Sequence, residues 1–274
     1  MNNRIPLALG AIAVLAIPLA THDGYVIQLL NIAILNAIVV LGLNFATGWT
    51  GQINFGQAAF YGLGAYTTAI ATKAGLPWIA TPFLSVLIVT AASLVLGLPT
   101  LRLRTYYLAM TTIGFGEIIR LIIVHWEPVT GGTSGLRAIP GISVFGLAPQ
   151  GQIQHYYLLI AVLALAVLVA ARIRHSSLGR AMIATKDSEI AAEQSGVDTT
   201  RIKLLAFMIG AVYAGLAGCI IGAVALTILP EALRFLGQWY LVLYGLGVIA
   251  VIVLAPGGLA SVAAMIRMRR ATAP

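Results

Sequence analysis

Long apolar runs alternate with short polar connections along the whole chain. A helix needs about 20 apolar residues to cross a bilayer, and most of these runs approach that length. They predict eight membrane-spanning helices, at residues 5–20, 25–46, 57–74, 78–98, 105–126, 156–171, 204–229 and 239–254. The pattern therefore predicts an all-α polytopic membrane protein in which residues 1–274 form a single transmembrane domain.

The first apolar run, which follows Arg4, also fits a signal peptide, because it combines a basic start with a short apolar stretch and small residues. We favour a first span that is retained in the mature protein, since Leu19, Ala20 and Thr21 make a poor cleavage site. Both interpretations place this run at or in the membrane.

The distribution of basic residues predicts the orientation of the chain. With eight spans, both termini lie on the same side of the membrane. If that side is the cytoplasm, twelve Lys and Arg residues lie inside and three lie outside, with Arg120 within a span. Cytoplasmic loops are enriched in Lys and Arg, so we expect both termini in the cytoplasm. The polar stretch 172–203 is then cytoplasmic and the stretch 128–155 is extracytoplasmic.

Composition excludes several classes of protein. A hydrophobic fraction of 60% and a mean hydropathy of +0.97 exclude a soluble domain. The net charge of +8 does not indicate nucleic-acid binding, because the basic residues stand singly or in small groups beside apolar runs. One cysteine, Cys219, and four scattered histidines provide neither a disulfide pattern nor a metal site.

The cytoplasmic stretch 172–203 holds four of the eight acidic residues and six of the sixteen basic ones. Its middle predicts a short helix of about eight residues, capped by Asp187 or Ser188, with Glu189 in the first turn and Gly196 at the end. Such a helix is too short to be stable alone. It suits a surface on which a soluble partner docks, although an ordinary solvated loop is the alternative.

Residues 48–57 form a second polar stretch, at the start of the third predicted span. Gly48, Gly51 and Gly56 allow irregular backbone at membrane depth, which is tolerated only where it is buried in protein or lines a water-filled cavity. Alternatively, the glycines serve only close packing and the amides bond between helices. Three uncharged amides are our candidates for a translocation path: Gln52, Asn54 and Gln57.

Two further groups of polar residues have open interpretations. Glu117 and Arg120 lie three apart within the fifth span; an intramembrane acid suggests proton coupling, but the adjacent Arg favours a structural ion pair. The extracytoplasmic stretch contains adjacent glycines and hydroxyls that either contact a carboxylate or a binding protein, or form a plain turn: Thr130, Gly131, Gly132, Thr133 and Ser134. It lacks GK[ST], so it is not a nucleotide-binding loop.

Three stretches together resemble the permeases of ATP-binding-cassette (ABC) importers, and more narrowly the branched-chain amino-acid permease group. These stretches are GRAMIATKDSEIAAEQSGVDTTRIKLLAF, GWTGQINFGQAAFYGLGAY and TGGTSGL. In the first of them, Glu189-Ile190-Ala191-Ala192 and Gly196 stand in the places of the family's acidic-Ala-Ala and Gly elements. The resemblance covers roughly residues 25–259.

The resemblance implies a permease subunit that translocates branched-chain or related small amino acids across the bacterial inner membrane. It implies ABC ATPase subunits, a second homologous permease and a periplasmic substrate-binding protein as partners within the lipid bilayer. Because the chain has no Walker motif, ATP is expected on the ATPase subunit, and we expect neither a cofactor nor enzymatic activity on this chain. The implied ATPase-coupling residues are Asp187, Glu189, Ala191, Ala192, Glu193 and Gly196.

The chain departs from the family pattern near residues 219–220. Family members usually carry more sequence where YAGLAGCI here runs directly into IGAVALTILPEALR, so we expect a shortened chain whose seventh span joins parts of two helices. Two other functions stay open: a urea or short-chain amide permease, and a stand-alone ion-coupled carrier or channel in which Glu117 titrates. A membrane-embedded enzyme ranks last, because no catalytic motif is present.

Overall fold

The computed structural model describes Pro18 and residues 24–100, 105–136 and 152–224, and all regular secondary structure in these residues is helical. This confirms the predicted all-α class. A π-helix, Asn44–Trp49, continues the first helix, and single 3-10 turns lie at Trp78–Ala80 and Gly132–Ser134. The α-helices are α1 Gly24–Leu43, α2 Gln57–Lys73, α3 Thr81–Thr100, α4 Thr105–His125, α5 Glu127–Thr130, α6 Gln152–His175, α7 Ser177–Asp187, α8 Glu189–Gln194 and α9 Thr199–Val224.

Five helices in the described residues are long and apolar enough to cross a membrane. They correspond to five of the predicted spans and cover Val26–Trp49, Trp78–Thr100, Tyr107–His125, Ile153–His175 and Thr199–Ile221. The predicted spans at 5–20 and 239–254 lie outside the described residues, so the total of eight stays a prediction. Helix α9 is continuous through Cys219 and Ile220, where the sequence departs from the family pattern.

The third predicted span is the helix at the centre of the described bundle. Ten of the 17 residues of α2 are buried, and its most extensive contacts are with α9. Helix α9 is also largely covered, with 61% of its apolar window buried, against 11% for α4 and 17% for α6. The described part is therefore built around the α2–α9 pair, with the other helices around it.

Glycine allows α2 and α9 to approach each other until their backbones touch. A Cβ added to Gly64 of α2 would overlap the backbone of Gly215, and one added to Gly218 of α9 would overlap the carbonyl of Tyr61. Small residues are the usual means of close helix contact in membranes, where lipid chains compete with any apolar side chain for the same surface. The α2–α9 contact thus depends on glycine at positions 64 and 218, where any side chain would separate the two helices.

Side chains attach α6 and the π-helix to this pair. The Tyr213 hydroxyl of α9 donates a hydrogen bond of 2.9 Å to the carbonyl of Ala166 in α6. The ring of Phe45, in the π-helix, lies 5.2 Å from the ring of Tyr213 and 4.5 Å from that of Trp49. These contacts hold the π-helix, and the chain that follows it, against the centre of the bundle.

Two glycines of α2 provide a matched test of the close helix contact. We expect Gly64→Ala to destabilise the protein by about 1–3 kcal/mol, because the added methyl group meets backbone that has no free space to move into. Gly62→Ala is the control, since its Cβ would lie 3.5 Å from Ile123 Cδ1, an ordinary contact. Thermal unfolding in detergent measures both. Equal midpoints for the two variants would contradict the packing described.

Candidate functional site

The chain between the π-helix and α2 has an irregular backbone, as the glycines predict. Residues 51–55 carry no regular secondary structure, and Gly51 has a φ of +70°, a conformation that favours glycine. We refer to residues 50–56 as the Gly-rich segment. The π-helix that leads into it has a geometry that is rare and frequently found at functional sites.

Two of the predicted pathway amides brace this segment from inside the protein. Gln57 and Asn54 are 7% and 5% exposed. The Gln57 Nε2 donates to the carbonyl of Gly210 in α9 at 2.9 Å and to that of Val39 in α1 at 3.3 Å. The Asn54 Nδ2 donates to Gln57 Oε1 at 3.3 Å. In this chain these amides therefore connect three parts of the bundle, and their role in a pathway stays a prediction.

The third amide, Gln52, joins the segment to the first turns of α9. It is 3% exposed, and its Nε2 donates to Thr50 Oγ1 at 2.7 Å and to the carbonyl of Lys203 at 3.0 Å. Because a carbonyl oxygen only accepts hydrogen bonds, the amide nitrogen is the atom that faces Lys203. The Gln52 Oε1 has no partner among the described residues.

The stretch 172–203, which the sequence predicts to be cytoplasmic, contains more helix than the sequence predicted. Helix α6 continues to His175, beyond the predicted end of the span, and α7 then occupies Ser177–Asp187. Helix α7 buries Gly179, Met182 and Thr185. These residues recur every three positions, which is a helical signal, but only one of them is strongly apolar, so the pattern was missed.

The predicted short helix is confirmed as α8, Glu189–Gln194. Ser188 caps it by accepting a hydrogen bond of 3.3 Å from the backbone N–H of Ala191, whereas Asp187 ends α7. Gly196, with a φ of +83°, follows its last turn. Ala192 is buried against the protein, and Ile190, 72% exposed, points away from it.

The two glutamates of α8 point back to the start of α9. The Lys203 Nζ lies 2.5 Å from Glu189 Oε1, and the Thr199 hydroxyl donates to Glu193 Oε1 at 2.6 Å. Both carboxylates therefore hold α8 against α9. The surface that α8 leaves open includes Ile190 and Ala191 together with Gln194 and the exposed parts of both glutamates, so it is only partly apolar.

Helices α7 and α8, which we call the cytoplasmic elbow (residues 177–194), also contact the Gly-rich segment and the π-helix before it. The Lys186 Nζ donates to the carbonyl of Gly48 at 2.8 Å, and the Lys186 Cγ lies 3.4 Å from the point where a Cβ of Gly51 would stand. Beside these contacts, a polar cavity of about 250 Å³ lies between the Gly-rich segment and the elbow. Its lining includes Thr50, Gln52, Thr185, Asp187 and Lys203.

The predicted extracytoplasmic motif folds into a compact turn. Thr130 is buried, and its hydroxyl donates to the carbonyls of Ile123 and Trp126 at 2.7 and 2.8 Å. Gly131 and Gly132 have φ values of +75° and +58°. The neighbouring Thr133 and Ser134 are exposed. A contact of this turn with a carboxylate or a binding protein stays a prediction.

The predicted ion pair within the fifth span is present. Arg120 donates to Glu117 twice, from Nε to Oε2 at 2.9 Å and from Nη2 to Oε1 at 2.6 Å. Both side chains are more than half exposed in this chain. Within the part of the chain that the structure describes, no group of three His, Cys, Asp or Glu residues could hold a metal ion.

Comparison with known proteins gives a consistent result. Residues 25–267 match the family described as branched-chain amino acid transport system / permease component. The chain is 34% identical to the high-affinity branched-chain amino acid transport system permease protein LivM of Salmonella typhimurium and to that of Escherichia coli. Each of these alignments covers 95% of this chain and 65% of the relative, so the chain spans about two thirds of the length of either protein.

A more distant relative has a different cargo in its name. The autoinducer 2 import system permease protein LsrC of Yersinia pseudotuberculosis serotype O:3 is 26% identical over 80% of this chain and 62% of the relative. No solved structure matches the chain. All of these relatives are named as permeases. The LivM proteins are named for branched-chain amino acid transport, and the LsrC protein for autoinducer 2 import.

A pair of cysteines tests the contact between the elbow and the Gly-rich segment. A Cβ at Gly51 would lie 4.0 Å from Lys186 Cβ, which is within the range of disulfides. We expect Gly51→Cys/Lys186→Cys to form an intramolecular disulfide under mild oxidation, measured as protection from a thiol-reactive polymer on a gel. The buried Cys219 should not compete.

The matched control pairs Gly51→Cys with Arg180→Cys, because Arg180 lies six residues before Lys186 and so on a different face of α7. We expect this control to stay reduced under the same conditions. If the two pairs oxidise to the same extent, the contact between Gly51 and Lys186 is not the one described.

Proposed function

The chain belongs to the branched-chain amino acid transport system permease family, and from this premise we propose that it is the membrane-spanning subunit of an ATP-driven importer of branched-chain or related small amino acids. The multi-pass helical architecture agrees with such a subunit, and the family implies the bacterial inner membrane. ATP hydrolysis belongs to a separate ATPase subunit in this proposal.

One observation carries the proposal beyond family membership: the exposed surface of α8 is connected to the centre of the bundle. Ile190 and Ala191 face outwards, while Glu189 and Glu193 on the same helix hold the start of α9. Helix α9 packs on α2 over most of its length. A soluble subunit that docks on α8 therefore acts on the two central helices with few intervening contacts.

The mechanism that fits this arrangement is alternating access. Closure of the ATPase subunits would shift the cytoplasmic elbow, and Lys186 and Gln52 would carry that shift to the π-helix and the Gly-rich segment. In transporters, irregular backbone at membrane depth commonly lies beside the pathway. A second homologous permease would complete the pathway, and a periplasmic binding protein would deliver the amino acid from outside.

The matches favour branched-chain amino acids over other cargo. The two LivM proteins are more similar to this chain than the LsrC protein is, at 34% against 26% identity. A permease for urea or short-chain amides stays the alternative within the same class. Uptake of labelled leucine in competition with urea or acetamide separates the two, because only one cargo should compete.

Purification of the assembled transporter tests the proposed function directly. We expect the tagged chain, extracted from its native membrane in mild detergent, to bring an ABC ATPase and a second permease with it. Proteoliposomes of this complex should accumulate leucine when ATP and the binding protein are supplied. A chain that comes out alone and transports leucine on an ion gradient would contradict the proposal.

A substitution on the open surface of α8 tests where the ATPase docks. We expect Ile190→Asp to lower ATP-driven uptake at least tenfold, because it places a charge in the centre of an apolar contact. The thermal stability of the isolated chain should stay unchanged, since the side chain is largely exposed. Gln194→Ala, an exposed polar position on the same helix, serves as the control. Uptake at the wild-type level in both variants would exclude docking on Ile190.

A further inference from the structure

Glu117 and Arg120 lie close to the middle of a membrane span. The span covers Tyr107–His125, so Gly116 is its central residue and Glu117 is the next. At a rise of about 1.5 Å per residue, the Glu117 backbone lies about 1.5 Å along the helix from the centre of this span. In the other described spans, the charged residues lie near the helix ends. This pair is thus the one place in the described spans where full charges occur at mid-membrane depth.

The face of α4 that carries the pair is not covered by the described protein. The side chains of Arg120 and Glu117 are 61% and 53% exposed. Two turns before Glu117, Met110 is 71% exposed, and one turn before it a Cβ added to Gly114 would meet nothing within 4 Å. The opposite side of α4 packs through Leu108, Thr112 and Ile119.

Lipid is a poor environment for this face. A guanidinium has five N–H donors, and Arg120 uses two of them on Glu117, so three stay without a partner among the described residues. Hydrocarbon offers no acceptor for them. Ionisable residues within spans therefore face a bundle interior or a water-filled cavity, where they mark substrate pathways. The buried amides Gln52, Asn54 and Gln57 do not offer such an open surface.

The chemistry of the pair is complementary to a zwitterion. A carboxylate attracts an α-ammonium group, and a guanidinium binds an α-carboxylate through two parallel hydrogen bonds. Gly114 and Gly116 leave space beside the pair, and Ile113, 55% exposed, offers an apolar contact for an aliphatic side chain. These three features match the three parts of a branched-chain amino acid.

We propose that the Glu117–Arg120 face of α4 lines the translocation path and that the pair binds the α-ammonium and α-carboxylate groups of the amino acid in transit. The identity of the cargo rests on the proposed function. In this proposal each charge neutralises the other, and a bound zwitterion replaces that mutual contact.

Cysteine labelling tests whether the face lines water. In membranes that contain the assembled transporter, we expect Gly114→Cys to react with a charged, membrane-impermeant thiosulfonate at least tenfold faster than Leu165→Cys. Leu165 is the control because it is 62% exposed and lies next to Ala164, the central residue of the span Ile153–His175. Equal rates would overturn the proposal, whether lipid or a second permease covers the face.

A charge exchange tests whether the pair contacts cargo or only stabilises the helix. We expect Glu117→Gln and Arg120→Gln each to lower leucine uptake at least tenfold. The double variant Glu117→Arg/Arg120→Glu keeps an ion pair on the same face, so it should reach the membrane and unfold at the wild-type temperature. Its uptake should stay at least tenfold reduced, because the charges meet the zwitterion in reversed order.

Restoration of wild-type uptake in the double variant would show a purely structural pair and overturn the proposed binding role. The two proposals fail in distinguishable ways. A wild-type complex that does not transport leucine overturns the proposed function and the cargo assigned to the pair. Fast labelling of Gly114→Cys in that case would still show that the pair faces water, since the reaction does not depend on cargo.

Discussion

Irregular backbone inside a membrane protein must find hydrogen-bond partners within the protein, and the described bundle is arranged around this constraint. The Gly-rich segment interrupts the helices between α1 and α2. Gln57 bridges it to α1 and α9, and Gln52 bridges it to the carbonyl of Lys203. Since α2 and α9 touch backbone to backbone, these amides meet carbonyls that are already fixed in place. The segment is therefore held by the most closely packed part of the bundle.

The hydrogen bonds that hold the Gly-rich segment also connect it to the cytoplasmic elbow. Lys203 offers its carbonyl to Gln52 and its ammonium group to Glu189 of α8, so one residue of α9 joins the two regions. Lys186 provides a second connection through the carbonyl of Gly48. A force on α8 thus reaches the Gly-rich segment through two short routes. This is the physical basis for the proposal that the cytoplasmic elbow couples an ATPase subunit to the bundle.

The sequence predicted those features that depend on local chemistry. Apolar runs located the five described spans, Ser188 and Gly196 bounded α8, and three glycines marked an irregular stretch in which Gly51 adopts a positive φ. It could not show that α2 is central, because a buried helix and a lipid-facing helix are both apolar. Nor could it show that Glu193 turns towards Thr199, since that contact depends on the angle between α8 and α9. Local sequence patterns do not contain the relative positions and angles of helices that are distant in the sequence.

In the proposed mechanism the elbow and the Gly-rich segment move together, and distances between spin labels measure this directly. Labels replace the exposed side chains of Ile190 in α8, Phe55 in the segment and Leu165 in α6 of the assembled transporter. On addition of ATP, the Ile190–Phe55 distance should stay constant while both distances to Leu165 change. If the Ile190–Phe55 distance changes while the Phe55–Leu165 distance stays constant, the elbow moves without the segment. That result would contradict the proposed coupling between them.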